Sequence, residues 1–313
     1  MKRKRPTIRK LRQKRSKKFN LRKILRILIL ALLLFIVVLF IKLAISPSVW
    51  DDKYQFSFAY PTTEGVVVAV LNPTLKTATN IIIPDNTQVE VASRLGKWRL
   101  GSVWQLGKQE KLGGYLLSRS LIKTFSMPID AWAGESFKDY NGNFLNRTKA
   151  IFLTSDTNIK LKDKIKLWFF ILFMPKGNSE TIYLAETSAL SLSKLPDGSE
   201  GYLPNLLPDS IERLFFIDIV SQENLRLGVV NVSDNSGLVR TIAKTFETIG
   251  VRPVIIKDEE FIDGFLCAVY TNEKDSVTAK KTSSLFDCPI KNKRSNSNLD
   301  IEFVFGEEFV QRF

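Results

Sequence analysis

The longest apolar stretch in the chain covers residues 24–45, ILRILILALLLFIVVLFIKLAI, and nothing polar interrupts Ile27 through Ile41. Twenty-two residues in a helix span roughly 30 Å, the thickness of a bilayer's hydrocarbon core. Further along, the pattern changes period. Residues 65–71, GVVVAVL, are apolar at every position, as in an interior strand covered on both faces. Residues 79–83 predict a second strand and residues 88–92 a third, with a turn near Asn72-Pro73. Residues 112–125 carry apolar side chains near helical spacing, and 129–133 and 181–185 read as short strands. The run 167–174, LWFFILFM, is too short to span a bilayer and predicts a core strand or helix.

The C-terminal pattern is more regular. Strands are expected at 225–232, 253–257, 265–270 and 301–305, and helices at 238–249 and 276–286. In the first helix Leu238, Ile242, Phe246 and Ile249 fall on one face, and Gly250 stops it. Strand–helix–strand repeated twice predicts a two-layer α/β sandwich, first as a split βαβ unit, otherwise as a parallel open sheet. Residues 195–209, LPDGSEGYLPNLLPD, hold three Pro and two Gly and read as an interdomain linker, followed by a helix over 210–220.

Charge sharpens this picture. Residues 1–26 hold 14 Lys or Arg and no Asp or Glu, so the remaining 287 residues balance at 32 basic and 32 acidic. A cationic flank before an apolar span predicts a cytoplasmic N-terminus and an exported body. The small-x-small triplet Ala44-Ile45-Ser46 suggests a cleavage site, but Pro47 follows it and disfavours cleavage, so the span reads as an uncleaved anchor in the plasma membrane. The basic flank serves topology and anionic lipid, which makes nucleic acid an unneeded partner.

The chain has no histidine, which excludes Ser-His-Asp and Cys-His catalysis and histidine-ligated metals. Cys267 and Cys288 are the only cysteines; either they pair, closing a loop worth roughly 3 kcal/mol, or they are separate buried thiols. Any chemistry falls to carboxylates, Arg, Lys, Tyr or carboxylate-bound Mg²⁺. At NIIIPDNTQVEV, residues 80–91, an apolar run stops at Pro84, and Asp85, Asn86 and Thr87 form a polar corner before alternation resumes. Thr87 reads better as bonding its own turn than as a nucleophile.

Residues 227–256, LGVVNVSDNSGLVRTIAKTFETIGVRPVII, resemble the LytR C-terminal domain of bacterial envelope proteins through Asn231, Gly237-Leu238, Gly250 and the strand that follows. Upstream, Glu64, Asn72-Pro73 and Ile83-Pro84-Asp85-Asn86-Thr87 match the spacing of the LytR–CpsA–Psr family, as does GKQEKLGGYLLSRSLIKTFSMPIDAW at 107–132. That resemblance implies a phosphotransferase moving glycopolymers from polyprenyl-pyrophosphate lipids to the wall. In the family an Arg follows the Pro and contacts pyrophosphate; here the position is Asp85, and the next family Asp is Asn86. A carboxylate facing a pyrophosphate repels where a guanidinium would attract.

The expected layout is a basic tail (1–23), a transmembrane helix (24–45), a stalk (46–63), a degenerate LytR–CpsA–Psr-like α/β domain (64–194), a linker and helix (195–224), and a LytR C-terminal-like α/β domain (225–313). The expected role is non-catalytic binding of wall polymer or polyprenyl lipid, through Asp85, Asn86, Thr87, Lys97, Asn231 and Gly237. The alternatives are Mg²⁺-dependent phosphotransfer using Glu64, as weak metal ligand, with Arg94 or Arg99, and a module that docks an envelope protein.

Overall fold

A computed structural model describes residues 48–313 apart from 235–236 and 295–297, together with positions 25, 26, 29, 30, 33, 34 and 38. The chain divides into two compact units, Met1–Ser46 and Pro47–Phe313. The basic tail and most of the expected span lie outside the described residues. Among the described residues no helix is long and apolar enough to cross a membrane.

The second unit is mixed α/β. Its first sheet is built from β1 (Phe56–Thr62), β2 (Gly65–Asn72), β3 (Thr77–Pro84), β6 (Ala131–Trp132) and β7 (Ser179–Tyr183), in the order β6-β1-β2-β3-β7. The three central strands are antiparallel neighbours and the two outer ones pair parallel. Strand β2 is apolar throughout because both faces of the sheet are covered. Val66, Val68 and Val70 face one core with Ile81, Ile83 and helices α1 (Leu100–Gln109) and α2 (Gly114–Phe125). Val67, Ala69 and Leu71 face the other with Phe56, Phe58, Phe137 and Tyr140. Helices α3 (Phe144–Leu153) and α4 (Leu161–Phe173) close that second core through Ile151, Leu167 and Ile171. Between β3 and α1 runs the hairpin of β4 (Gln88–Val91) and β5 (Gly96–Arg99).

The second sheet follows the order β11-β10-β14-β12-β13, with β10 (Leu227–Asn231), β11 (Ile255–Asp258), β12 (Cys267–Thr271), β13 (Ile290–Lys291) and β14 (Ile301–Phe305). Helices α5 (Gly237–Thr248) and α6 (Val277–Phe286) are the crossovers, and α7 (Glu307–Arg312) ends the chain. Strand β10 pairs parallel with both β11 and β14, whereas β12 runs antiparallel to β14. The result is a mixed open sheet, neither the split βαβ unit nor the all-parallel sheet expected. In a split unit another strand would separate β10 from β11, and here they are adjacent. Cys267 and Cys288 form a disulfide, because the end of α6 returns beside β12, where the Val269 N–H donates to the Pro289 carbonyl at 3.0 Å.

Several expectations are corrected. Of the expected stalk at 46–63, the described residues pack into the body. Trp50 is buried against Phe56 and Phe170, and β1 pairs along its whole length with β2; Pro61 falls near the strand's end. The linker reading of 195–209 fails as well. The Pro/Gly density there marks the turn of a hairpin, β8 (Leu190–Lys194) with β9 (Glu200–Pro204). The helix over 210–220 breaks into single turns because Phe216 and Ile217 adopt extended backbone and Ile217 donates to the Ile249 carbonyl. The 167–174 run, left open between strand and helix, is helical within α4 as far as Phe173. One continuous core runs from Val66 and Leu117 to Leu227, Phe246 and Phe303, so the two halves are fused.

A buried ion pair joins them. The Lys281 ammonium donates to both Asp130 carboxylate oxygens at 2.6 and 2.8 Å, and Asp130 also accepts from the Ser57 N–H at 2.9 Å. Removing the cation leaves an unpaired buried carboxylate. Lys281→Met therefore lowers the unfolding free energy by about 3–5 kcal/mol in chemical denaturation, and adding Asp130→Asn recovers a large part of that loss.

Candidate functional site

The polar corner at Pro84–Thr87 sits where β3 leaves the first sheet. The Thr87 N–H closes the turn on the Pro84 carbonyl at 3.2 Å. Helix α1 begins against this corner with two backbone bonds: the Leu100 N–H donates to the Thr87 carbonyl at 2.8 Å and the Gly101 N–H to the Asp85 carbonyl at 2.9 Å. Both are helix-opening donors of the kind that elsewhere hold an anion. The approach is close enough to require glycine, since a Cβ on Gly101 would lie 2.8 Å from the Asp85 Cβ.

The predicted residues divide into groups. Glu64 and Asp85 come together at one end of the sheet, because Gly65 pairs with Pro84; both are exposed, and neither carboxylate has a partner among the described residues. Among the described residues no group of three or more potential ligands forms a metal centre, so the Mg²⁺ expectation finds no built site. Asn86 turns toward the β8–β9 hairpin, donating through Nδ2 to the Glu200 carbonyl at 3.3 Å and accepting from the Tyr202 N–H at 3.3 Å. Thr87 is fully buried. Its Oγ1 has no hydrogen-bond partner among the described residues, so the expected side-chain bond to its own turn is not made, and the backbone N–H makes it instead.

The basic residues are mostly engaged. Arg99 donates to both Asp197 and Ser199 in the β8–β9 turn, and Arg94 to Glu307 of α7. Lys123 pairs with Glu90 at 3.1 Å. Lys97 has no partner among the described residues and stands on β5 beside Trp98, which is 42% exposed and donates from its ring nitrogen to the Leu95 carbonyl at 2.8 Å. Asn231 and Gly237 lie in the second half. Asn231 is buried and donates to Asp258 at 2.8 Å, organising the end of β10, while Gly237 opens α5. Gly237 meets Arg94 and Lys123 across a cavity of about 240 Å³. Asp85, Asn86 and Thr87 are thus one place, and Asn231 and Gly237 belong elsewhere.

Sequence reasoning missed the contribution of the β8–β9 hairpin. Its Asp197 carboxyl is held down at about 2, first by the Ser199 hydroxyl and N–H and then by Arg99. Nothing local ties residue 197 to residue 99; only the PDGS turn chemistry at 196–199 hints at a carboxylate bonding its own turn.

No protein-family model matches the chain, and no match was found among curated proteins. Solved structures share some likeness. The chain is similar to TagV of B. subtilis with a TM-score of 0.37 and 13% identity, over 64% of this chain and 99% of that one. It is also similar to the LytR-CPS2A-psr family protein YwtF (TagT) with bound octaprenyl pyrophosphate lipid, with a TM-score of 0.37 and 16% identity, over 66% and 95%. A third likeness is to Lin1025 of Listeria innocua, at 0.35 and 11%, over 64% and 99%.

Asp197 has a folded pKa below its ordinary value, so the stabilisation it supplies is present above the ordinary carboxylate range and is lost as the pH falls through about 2. Ser199→Ala removes the largest cause, and carboxyl NMR titration then finds Asp197 shifted back toward the ordinary carboxylate range.

Proposed function

We propose that this is a membrane-anchored protein of the cell envelope that binds a wall polymer, or the polyprenyl-linked lipid that carries it, and does not turn it over. Residues 24–45 anchor it in the plasma membrane, with the basic tail inside and the body outside.

One observation carries the non-catalytic half of this reading. Phosphoryl transfer needs cations and N–H donors aimed at developing charge. At this corner the donors of Leu100 and Gly101 are bonded to the Thr87 and Asp85 carbonyls, and Arg94 and Arg99 are engaged by Glu307 and Asp197. The unpaired side chains there, Glu64 and Asp85, are both carboxylates. The binding half is supported by β5, where Trp98 is 42% exposed and its neighbour Lys97 has no partner among the described residues. An exposed ring offers an apolar face to a sugar, and the unpaired Lys97 ammonium suits phosphate.

The test uses the full chain in nanodiscs and polyprenyl pyrophosphate as probe. Wild type is expected to bind without releasing pyrophosphate or lipid phosphate. Asp85→Arg, which replaces repulsion with attraction, is expected to bind about tenfold more tightly. Release by the wild type would overturn the proposal, and absence of binding by both forms would favour a protein-docking role instead. With a phosphate-bearing glycopolymer as probe, Trp98→Ala is expected to weaken binding while Leu75→Ala, on the β2–β3 turn, leaves it unchanged.

A further inference from the structure

Helix α4 is apolar on both sides over its last two turns. Leu167 and Ile171 point into the core beneath the first sheet. The opposite side presents Phe169, 48% exposed, and Phe173, 71% exposed, joined to Phe144 of α3, 55% exposed, through the partly buried ring of Trp168. The rings are contiguous: Phe144 and Trp168 lie 5.6 Å apart, Trp168 and Phe169 5.1 Å, and Phe169 and Phe173 6.2 Å. Leu145, Leu161 and Leu172 extend the exposed apolar surface. A helix hydrophobic all round in an otherwise soluble body calls for an apolar neighbour.

Two features select that neighbour. Residues 144–176 hold seven Lys or Arg against two Asp; Asp163 and Lys164 are buried, which leaves six cations against Asp156. Exposed aromatic and aliphatic side chains on a segment with a net positive charge are the composition of an interfacial surface attracted to anionic headgroups. The second feature is the chain's entry. Asp163, in the first turn of α4, accepts from the Val49 N–H at 3.0 Å and from the Ser48 hydroxyl, and Lys166 bonds the Trp50 carbonyl. Only three peptide steps, at most about 11 Å, separate Ser48 from the end of the apolar stretch at Ile45.

We infer that the exposed α3–α4 face rests in the headgroup and upper acyl region of an anionic bilayer, so that the body lies against the membrane rather than standing off it. The inference depends on residues 24–45 spanning that bilayer. It is tested with the full chain in bilayers of phosphatidylcholine and phosphatidylglycerol, the disulfide left intact. Spin labels are placed at Phe169→Cys and Phe173→Cys, with Leu192→Cys on β8 as the exposed control. Labels at 169 and 173 are expected to collide severalfold more with oxygen, relative to a water-soluble nickel chelate, than the label at 192. Equal, water-like accessibility at all three positions in an inserted protein would overturn the inference while leaving the anchor intact. Spin–spin broadening at 169 and 173, found only when two chains share a disc, would overturn it in favour of a second copy. A chain that does not insert at all would overturn both the anchor and this inference.

Discussion

The buried Lys281–Asp130 pair is the constraint around which the two halves of the body are arranged. Two charges removed from water are tolerated only when each finds the other with good geometry and the remaining polar atoms are bonded. Asp130 meets that demand with Lys281 on α6, the Ser57 N–H at 2.9 Å and the Ser57 hydroxyl at 3.2 Å. Satisfying it fixes β1, the approach to β6 and α6 against one another. A second buried cation adds a crossing bond nearby: Arg119 of α2 donates to the Leu285 carbonyl at 2.6 Å and lies over the Phe313 ring. Hydrophobic packing alone would allow the halves to slide, whereas these directional bonds set one relative position. Burial, and after it the same carboxylate, raises the Tyr54 hydroxyl well above its ordinary range, so that ring stays neutral beside the pair.

Fusion of the halves determines what the polar corner can do. Had residues 64–194 formed a separate domain, the groups around Asp85 would answer only to one another. Instead, Arg94 is held by α7 from the end of the chain, and Arg99 and Asn86 are held by the β8–β9 hairpin. Each of these contacts withdraws a donor that an anionic ligand would otherwise recruit. The bridging elements that tie the halves together thus also engage the cations around the corner.

Local regularity was legible in the sequence, and long-range commitment was not. Helix α5 was visible because Leu238, Ile242 and Phe246 repeat with helical period, and β2 because an unbroken apolar run needs cover on both sides. Strand β1 was obscured by Pro47 and Pro61, although FSFAY alternates between two cores. The 195–209 segment shows the opposite error: Pro and Gly mark a turn, but they do not say whether the flanking chain is a linker or a pair of strands. The Asp130–Lys281 pair spans 151 residues, and no period or motif in one partner names the other. The carboxylate at Asp85 was legible as a departure; what makes it tolerable, backbone bonds to α1 and an exposed side chain, was not.

Under the proposed function, it is the distribution of unpaired groups among the described residues that distinguishes a binding surface from a reaction centre. Catalysis rests on donors held ready, without protein partners, where charge will develop. Around the corner the ready groups are Glu64 and Asp85, whose sign is wrong for stabilising an oxyanion, while Lys97 stands on β5 next to an exposed ring. Under the proposed function a flexible lysine and an exposed aromatic ring meet a polymer at many points along its length, since neither demands a fixed geometry. A pyrophosphate held for transfer demands such a geometry, and Arg94 and Arg99 are already paired with Glu307 and Asp197.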